Sequence, residues 1–189
     1  KPSKNYYKYA QNGCSEHIYA KDIEVHWGVG MTIGSVPPSD SYACVMDVHF
    51  KNVTIHHPFK AIYVKTNPGT TTSMAPGSGG IIKDIFYEDM VIHKPIWWNI
   101  YIGPQQQKQP GGAGPGCMLY PLSPHCDTQP LIDVRNITLK NITSYGGLLG
   151  PGIIRGNETN PIVGVHFENV QLHGIWRVFR HKNFITEHV

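Results

Sequence analysis

Eleven histidines among 189 residues could bind a metal or act in acid–base catalysis. The spacing of these histidines matches no metal motif. No His-Glu-x-x-His occurs, and His56 and His57 are neighbours, which point to opposite faces of a strand. The glycines Gly28, Gly30 and Gly34 miss the dinucleotide-binding spacing by one residue, and no predicted helix follows them. We therefore predict no metal site and no cofactor.

Aromatic residues that could stack on a sugar ring occur together at Trp97, Trp98 and Tyr101. Adjacent residues of a strand face opposite sides, so we expect one tryptophan in the core and the other exposed. The alternative is that both tryptophans simply pack under the Gln-rich segment that follows them. Acidic residues occupy predicted strand exteriors or corners and are not predicted to be catalytic: Asp22, Glu24, Glu88 and Asp89.

The four cysteines form no Cys-x-x-Cys pair, which argues against a zinc ribbon or a thioredoxin-like site. Cys117 and Cys126 bracket a proline-containing loop, and we predict a disulfide between them. The pairing of Cys14 and Cys44 stays open at this point. The alternative is four buried free thiols.

Four Asn-x-Ser/Thr sequons occur, at Asn52, Asn136, Asn141 and Asn157, where ordinary composition gives roughly one by chance. Together with the even number of cysteines, they predict a secreted, extracellular protein that carries N-linked glycans. Asn52 and Asn141 fall at equivalent positions of a repeat described below, so we expect sugar on at least one of them.

The composition favours short strands joined by many turns. Charged residues make up only 15% of the chain, whereas it has 20 glycines and 15 prolines, unlike a helical protein with Lys- and Glu-rich faces. The formal net charge of +3 comes from scattered residues, so we predict no nucleic-acid partner. No stretch approaches the roughly 18 apolar residues of a membrane span, so we predict no membrane association.

A segment with alternating apolar and polar residues recurs along the chain, as a strand with one buried face requires. Aligned on their first apolar positions, the copies are 25, 37, 52 and 28 residues apart: Ile23, Val48, Ile85, Ile137 and Val165. The two long gaps contain Gly- and Pro-rich insertions at 67–79 and 103–116, without which the period is about 22 to 28 residues.

Four of the five copies have an Asn or Asp after the second apolar position. These residues tolerate the left-handed backbone conformation, so we expect a sharp bend there. A repeat of this length with strand alternation predicts a β-solenoid, in which each coil is buried by its neighbours. The structural rival is a β-sandwich, which gives no reason for a repeated Asn corner.

Residues 28–35 read Gly-Val-Gly-Met-Thr-Ile-Gly-Ser, which resembles the Gly-His-Gly-x-x-Ile-Gly-Ser motif of glycoside hydrolase family 28, the polygalacturonases. The family's Arg-Ile-Lys is matched by Tyr-Val-Lys at 63–65, and its later strand and Pro-Ile motifs by residues 78–85 and 95–101. The resemblance implies an all-β, single-stranded right-handed parallel β-helix of the pectin lyase-like superfamily. Residues 1–189 would form one domain, the central and C-terminal coils of a longer protein.

The departures from this family concern its chemistry. Its members use an inverting pair of carboxylates from Asn-Thr-Asp and Asp-Asp motifs, and neither motif occurs here. We expect those aspartates upstream of residue 1, so no catalytic residue is predicted in this chain. Val29 stands where the family has its histidine, and Tyr63 stands where it has a substrate-binding arginine. Lys65 is retained, and the resemblance implies that Lys65, Tyr63 and Tyr101 bind substrate.

The resulting hypothesis is a polygalacturonase-like secreted protein of the cell wall that acts on or binds an acidic, pectin-type polysaccharide. The missing histidine and arginine resemble the rhamnogalacturonan-cleaving branch, so reduced or altered activity is expected. The alternative is a non-catalytic, glycosylated β-helix of a wall, sheath or extracellular fibre. A polysaccharide lyase would need a calcium-binding aspartate cluster, which the sequence lacks. We also expect self-association, or burial by a neighbouring subunit, through uncapped β-helix ends.

Overall fold

The computed structural model describes residues 13–40, 42–67, 79–105, 120–121, 125–174 and 183–189. This part of the chain is all β and contains no helix. Its ten strands follow one another in this order: β1 Ser15–His26, β2 Met31–Val36, β3 Ala43–His56, β4 Lys60–Thr66, β5 Gly80–His93, β6 Trp98–Gln105, β7 Ile132–Tyr145, β8 Gly150–Arg155, β9 Val163–His173 and β10 Ile185–Glu187.

The strands form two five-stranded sheets. Sheet A has the order β1-β3-β5-β7-β9, and sheet B has the order β10-β8-β6-β4-β2. The chain therefore changes sheet after every strand, and one odd and one even strand make one repeat. All pairings between named strands are parallel. This excludes the β-sandwich rival, whose sheets are antiparallel.

The pairing register confirms three of the four predicted alignments and corrects the first. Val48 lies opposite Ile85, and the same column continues through Ile137 to Val165. In β1, however, the partner of Val48 is Ile18, whereas Ile23 lies opposite Val53. Each sheet-A strand bends twice, five residues apart. The sequence alignment therefore paired Ile23, which follows the second bend of β1, with Val48, which follows the first bend of β3.

The predicted corners adopt the left-handed conformation. Positive φ angles near 50° occur in two columns along sheet A: one contains Asp22, Asn52, Asp89, Asn141 and Asn169, the other His17, Asp47, Asp84 and Asn136. Side-chain amides link neighbouring members of the first column. Asn52 donates to Asp22 at 2.7 Å, Asn141 to Asp89 at 2.9 Å, and Asn169 to Asn141 at 3.1 Å. These hydrogen bonds support residues whose backbone is otherwise costly for a side chain other than Gly.

The main core lies between the two sheets and consists largely of Ile and Val. Sheet A is buried on this inner face alone, so its strands alternate: in β7, buried Ile137, Leu139 and Ile142 are separated by polar positions. Strands β4, β6 and β8 of sheet B are buried on both faces, because a second apolar cluster covers their outer side. Its members are Tyr63, Trp98, Tyr101, Cys126, Leu149 and Ile153.

One disulfide joins the first two strands of sheet A. Cys14 and Cys44 are bonded, with their Cα atoms 4.9 Å apart, which contradicts the alternative of four free thiols. Cys126 is buried and disulfide-bonded, but Cys117 lies outside the described residues, so its pairing stays a prediction. Most of the predicted insertions, 68–78 and 106–116, and the chain segments 1–12 and 175–182 also lie outside them.

Candidate functional site

The predicted sugar-binding residues lie on adjacent strands of sheet B. Ile33 of the 28–35 motif is opposite Val64 of the 63–65 motif, so the two motifs stand side by side. One position earlier, Tyr63 is opposite Tyr101 in the next strand. Because neighbouring parallel strands are about 4.8 Å apart, these residues lie side by side in sheet B.

A buried lysine, Lys60, lies against the two tyrosines. The Nζ atom of Lys60 lies 4.2 Å from the ring centre of Tyr63 and 3.9 Å from that of Tyr101, both within cation–π range. The Nζ atom of Lys65 lies 4.9 Å from the Tyr63 ring. We call Lys60, Tyr63, Lys65 and Tyr101 the lysine–tyrosine cluster.

The cluster holds positive charge without a negative partner. Among the described residues, no carboxylate pairs with Lys60 or Lys65, and neither the Lys60 ammonium nor the Tyr63 hydroxyl has a hydrogen-bond partner. Burial, and secondarily the charge of Lys65, lower the pKa of Lys60 to about 7. Burial also lowers the pKa of Lys65 and raises that of Tyr63. An anion placed here would offset part of this positive charge, so the cluster favours an acidic ligand.

The cluster differs from the predicted open platform. Tyr63 and Tyr101 are buried, so neither presents a free ring face to solvent, and Lys65 is the half-buried member that solvent reaches. Val29 is 47% exposed in the turn before β2, and its backbone carbonyl accepts a hydrogen bond from the Thr32 hydroxyl. An apolar side chain therefore stands where the family's histidine was expected.

Both tryptophans pack against the apolar cluster on the outer side of sheet B, so the expected exposure of one of them is not seen; Trp97 precedes β6, and strand alternation does not apply to it. Trp98 is fully buried in the outer cluster, whereas Trp97 is half-buried and stacks on Phe59, with ring centres 5.3 Å apart. Because its ring face is engaged by Phe59, Trp97 does not form an open platform on that side.

Sequence reasoning missed Lys60 as well as a polar group further along sheet B. Arg155 pairs with Glu187, and the Tyr120 hydroxyl donates to Glu187 at 2.5 Å. Arg155 thus has its own carboxylate, unlike the lysines of the cluster. No signal distinguished Lys60 in the sequence, because a lysine that starts a strand is normally exposed.

Three of the four sequon asparagines lie on the surface. Asn52 and Asn141 are exposed and share one corner column, whereas Asn136 is exposed in the other. Asn157 is part-buried, and its amide nitrogen donates to the Thr128 hydroxyl at 3.1 Å. Asn157 is therefore the least accessible of the four to a glycosylating enzyme.

A separate cavity of about 400 Å³ opens on the outer face of sheet A. At its centre, the Asp47 carboxylate pairs with His17 Nδ1 at 2.5 Å and His49 Nε2 at 2.8 Å, which lowers the pKa of Asp47. The cavity also contains Glu16, Asp84 and Lys83, and Lys83 is paired with Asp84. Three carboxylates against one lysine disfavour an acidic ligand. A low pKa also disfavours Asp47 as a general acid.

Sheet A also brings together three potential metal ligands at the ends of β1 and β3. Glu24 Oε1 lies 3.0 Å from His26 Nε2 and 3.4 Å from His56 Nε2. Their ligand atoms all lie within 4.8 Å of one another. The prediction of no metal site considered spacing along one strand only, whereas this group depends on pairing between strands.

No model of a known protein family matches this chain. No curated protein matches it either. The likeness to glycoside hydrolase family 28 therefore rests on the sequence motifs alone, and no family is assigned. Among the described residues, no helix is long and apolar enough to cross a membrane.

Proposed function

We propose that residues 1–189 form one right-handed parallel β-helix domain of the pectin lyase-like type. The strict alternation between two parallel sheets supports a solenoid with one coil per repeat. Right-handedness is supported by the general rule for crossovers between parallel strands of one sheet. The Cys14–Cys44 disulfide and the exposed sequons support secretion, since disulfides persist in oxidising compartments.

We propose that this domain binds an acidic cell-wall polysaccharide of the pectin type through the lysine–tyrosine cluster. The observation that carries the proposal is the pair Lys60 and Lys65, two ammonium groups on one tyrosine without a carboxylate partner among the described residues. A buried unpaired charge is costly, and a uronate carboxylate would compensate it. Lys65 would contact the uronate directly, since it reaches solvent. The buried Lys60 would add to the positive electrostatic potential at the carboxylate.

This binding requires a charged Lys60. With a pKa of about 7, Lys60 is largely neutral at pH 9 and partly protonated at pH 7. A bound carboxylate would favour the ammonium, so binding takes up a proton and weakens as the pH rises above 7. Uronates are ionised at both pH values, so the ligand charge is constant over this range.

The test is calorimetric titration of the protein with oligogalacturonate at pH 7 and pH 9. We expect about a tenfold loss of affinity at the higher pH, and at least a tenfold loss at pH 7 in Lys65→Met. Lys60→Met should bind weakly and without this pH dependence. Lys21→Met, which alters an exposed lysine of sheet A, is the matched control and should bind normally. Equal binding by all three variants, or a preference for neutral galactan, would refute the proposal.

The second candidate function is a non-catalytic, glycosylated β-helix of a wall, sheath or extracellular fibre. It is favoured by the exposed column that holds Asn52 and Asn141, whose members are linked by hydrogen bonds and lie away from both sheets' buried faces. Glycans on this column with no oligogalacturonate binding would favour the structural role over polysaccharide recognition.

A further inference from the structure

We propose that Glu24, His26 and His56 form a binding site for a divalent transition metal such as Zn²⁺, which links the first two strands of sheet A. The site is independent of the lysine–tyrosine cluster, because its residues belong to the other sheet. It brings together one carboxylate and two imidazoles, the ligand types found in many protein zinc sites.

Pairing between β1 and β3 creates the site. His26 lies directly opposite His56, and Glu24 is two residues before His26, hence on the same face of β1. All three side chains leave the outer side of the sheet, and Glu24 and His26 are more than 60% exposed. A hydrated metal ion therefore reaches them without any opening of the fold.

The distances suit a small metal ion. Ligand atoms about 2.0 to 2.2 Å from a tetrahedral zinc lie roughly 3.3 to 3.5 Å from one another. The two separations from Glu24 Oε1, 3.0 and 3.4 Å, are already close to this range. The His26 and His56 rings are stacked, 4.6 Å apart and inclined by 10°. Binding would splay these rings so that both Nε2 lone pairs converge, a movement that the exposed His26 can make.

The donor chemistry favours borderline transition metals over Ca²⁺ or Mg²⁺, which prefer oxygen ligands. One carboxylate and two neutral imidazoles leave a net charge of +1 with a divalent ion, and water completes the coordination. Because Glu24 and His26 come from β1 and His56 from β3, a bound metal joins these strands near their C-terminal ends. The Cys14–Cys44 disulfide joins the same pair of strands near their N-terminal ends.

The experiment is a titration of the full chain with Co²⁺, followed by its visible absorption, and with Zn²⁺, followed by calorimetry and thermal unfolding. We expect one equivalent to bind and to raise the Tm. Glu24→Gln, His26→Asn and His56→Asn should each lower the affinity at least tenfold and reduce the rise in Tm. Circular dichroism of the metal-free variants checks that the fold is retained.

His173→Asn is the matched control. His173 ends the same column of stacked rings, which runs through His56, His93 and Tyr145, but it belongs to β9, at the opposite edge of sheet A from Glu24. The control variant should bind like the wild type. Absence of saturable binding, or equal losses in His173→Asn and His26→Asn, would overturn the assignment, since the second result indicates general binding by surface histidines.

Discussion

Lys60 occupies a position where an ammonium group is held by aromatic rings instead of by an acid. Cation–π contacts with Tyr63 and Tyr101 compensate part of the hydration free energy that the Lys60 ammonium loses on burial. The compensation is incomplete: burial still lowers the pKa of Lys60 from its ordinary 10.5 to about 7. The folded protein therefore binds fewer protons than the unfolded chain between these two pH values. In this range the free energy of unfolding therefore increases with pH, because the cost of burying a charged Lys60 becomes smaller.

The first prediction follows from this linkage. Lys60→Met removes the buried charge and should stabilise the protein. The gain is largest below pH 7 and shrinks by about 1.4 kcal/mol per pH unit above it, so it should be about 2 to 3 kcal/mol greater at pH 6 than at pH 9. Urea denaturation at the two pH values measures this difference. The exposed Lys21→Met should change stability by less than about 0.5 kcal/mol at either pH. A pH-independent effect of Lys60→Met would show that burial does not lower the pKa of Lys60, which would then stay charged at both pH values.

Strands β1 and β3 are joined near their N-terminal ends by the Cys14–Cys44 disulfide. The disulfide closes a loop with a sequence separation of 30 residues. In the unfolded chain, a loop of this length loses entropy equivalent to about 3 to 4 kcal/mol. β1 needs such a restraint because it is an edge strand of sheet A, paired only with β3 among the described strands.

The second prediction is that the double variant Cys14→Ala/Cys44→Ala loses about 3 kcal/mol of unfolding free energy. Amide hydrogen exchange should localise the loss: β1 amides should exchange faster, whereas those of β5 and β7, which are paired on both sides, should change only with global stability. Uniform acceleration in all strands would contradict a local role of the disulfide.

The elements were more predictable than the register of the first repeat. Alternation and the Asn or Asp corners predicted the strands and their left-handed bends, because both depend on local sequence. The misalignment of Ile23 arose because His17 occupies the first corner of β1, where β3, β5 and β7 have Asp or Asn. The site was less predictable. Tyr63 and Lys65 were found through a motif, but Lys60 and the Glu24–His26–His56 group depend on tertiary burial and strand pairing, which one-dimensional spacing does not contain.

At the scale of the whole molecule, hydrolysis requires a proton donor as well as a bound sugar. If the resemblance holds, the catalytic aspartates are expected outside this sequence. Asp47, the carboxylate of the sheet-A cavity, has a lowered pKa that disfavours proton donation. We therefore expect this chain to bind the sugar without cleaving it.

The third prediction is that the purified 189-residue chain releases no reducing sugar from polygalacturonate or rhamnogalacturonan, even under conditions where it binds oligogalacturonate. Product formation above the buffer control, followed over several hours, is the measurement. Steady activity that is abolished by Asp47→Asn or by another acidic substitution within residues 1–189 would contradict the separation of binding from catalysis.

The column of Asn52 and Asn141 also determines how two glycans would be spaced. These residues are separated by one intervening strand, and adjacent strands lie about 4.8 Å apart, so the attachment points would be about 10 Å apart. Branched sugars at that interval would overlap and form a hydrated layer along the bend of sheet A that holds this column. The two sheets would then differ in accessibility. Glycans would keep partners away from the bend of sheet A and leave the outer surface of sheet B, where Lys65 reaches solvent, open to them.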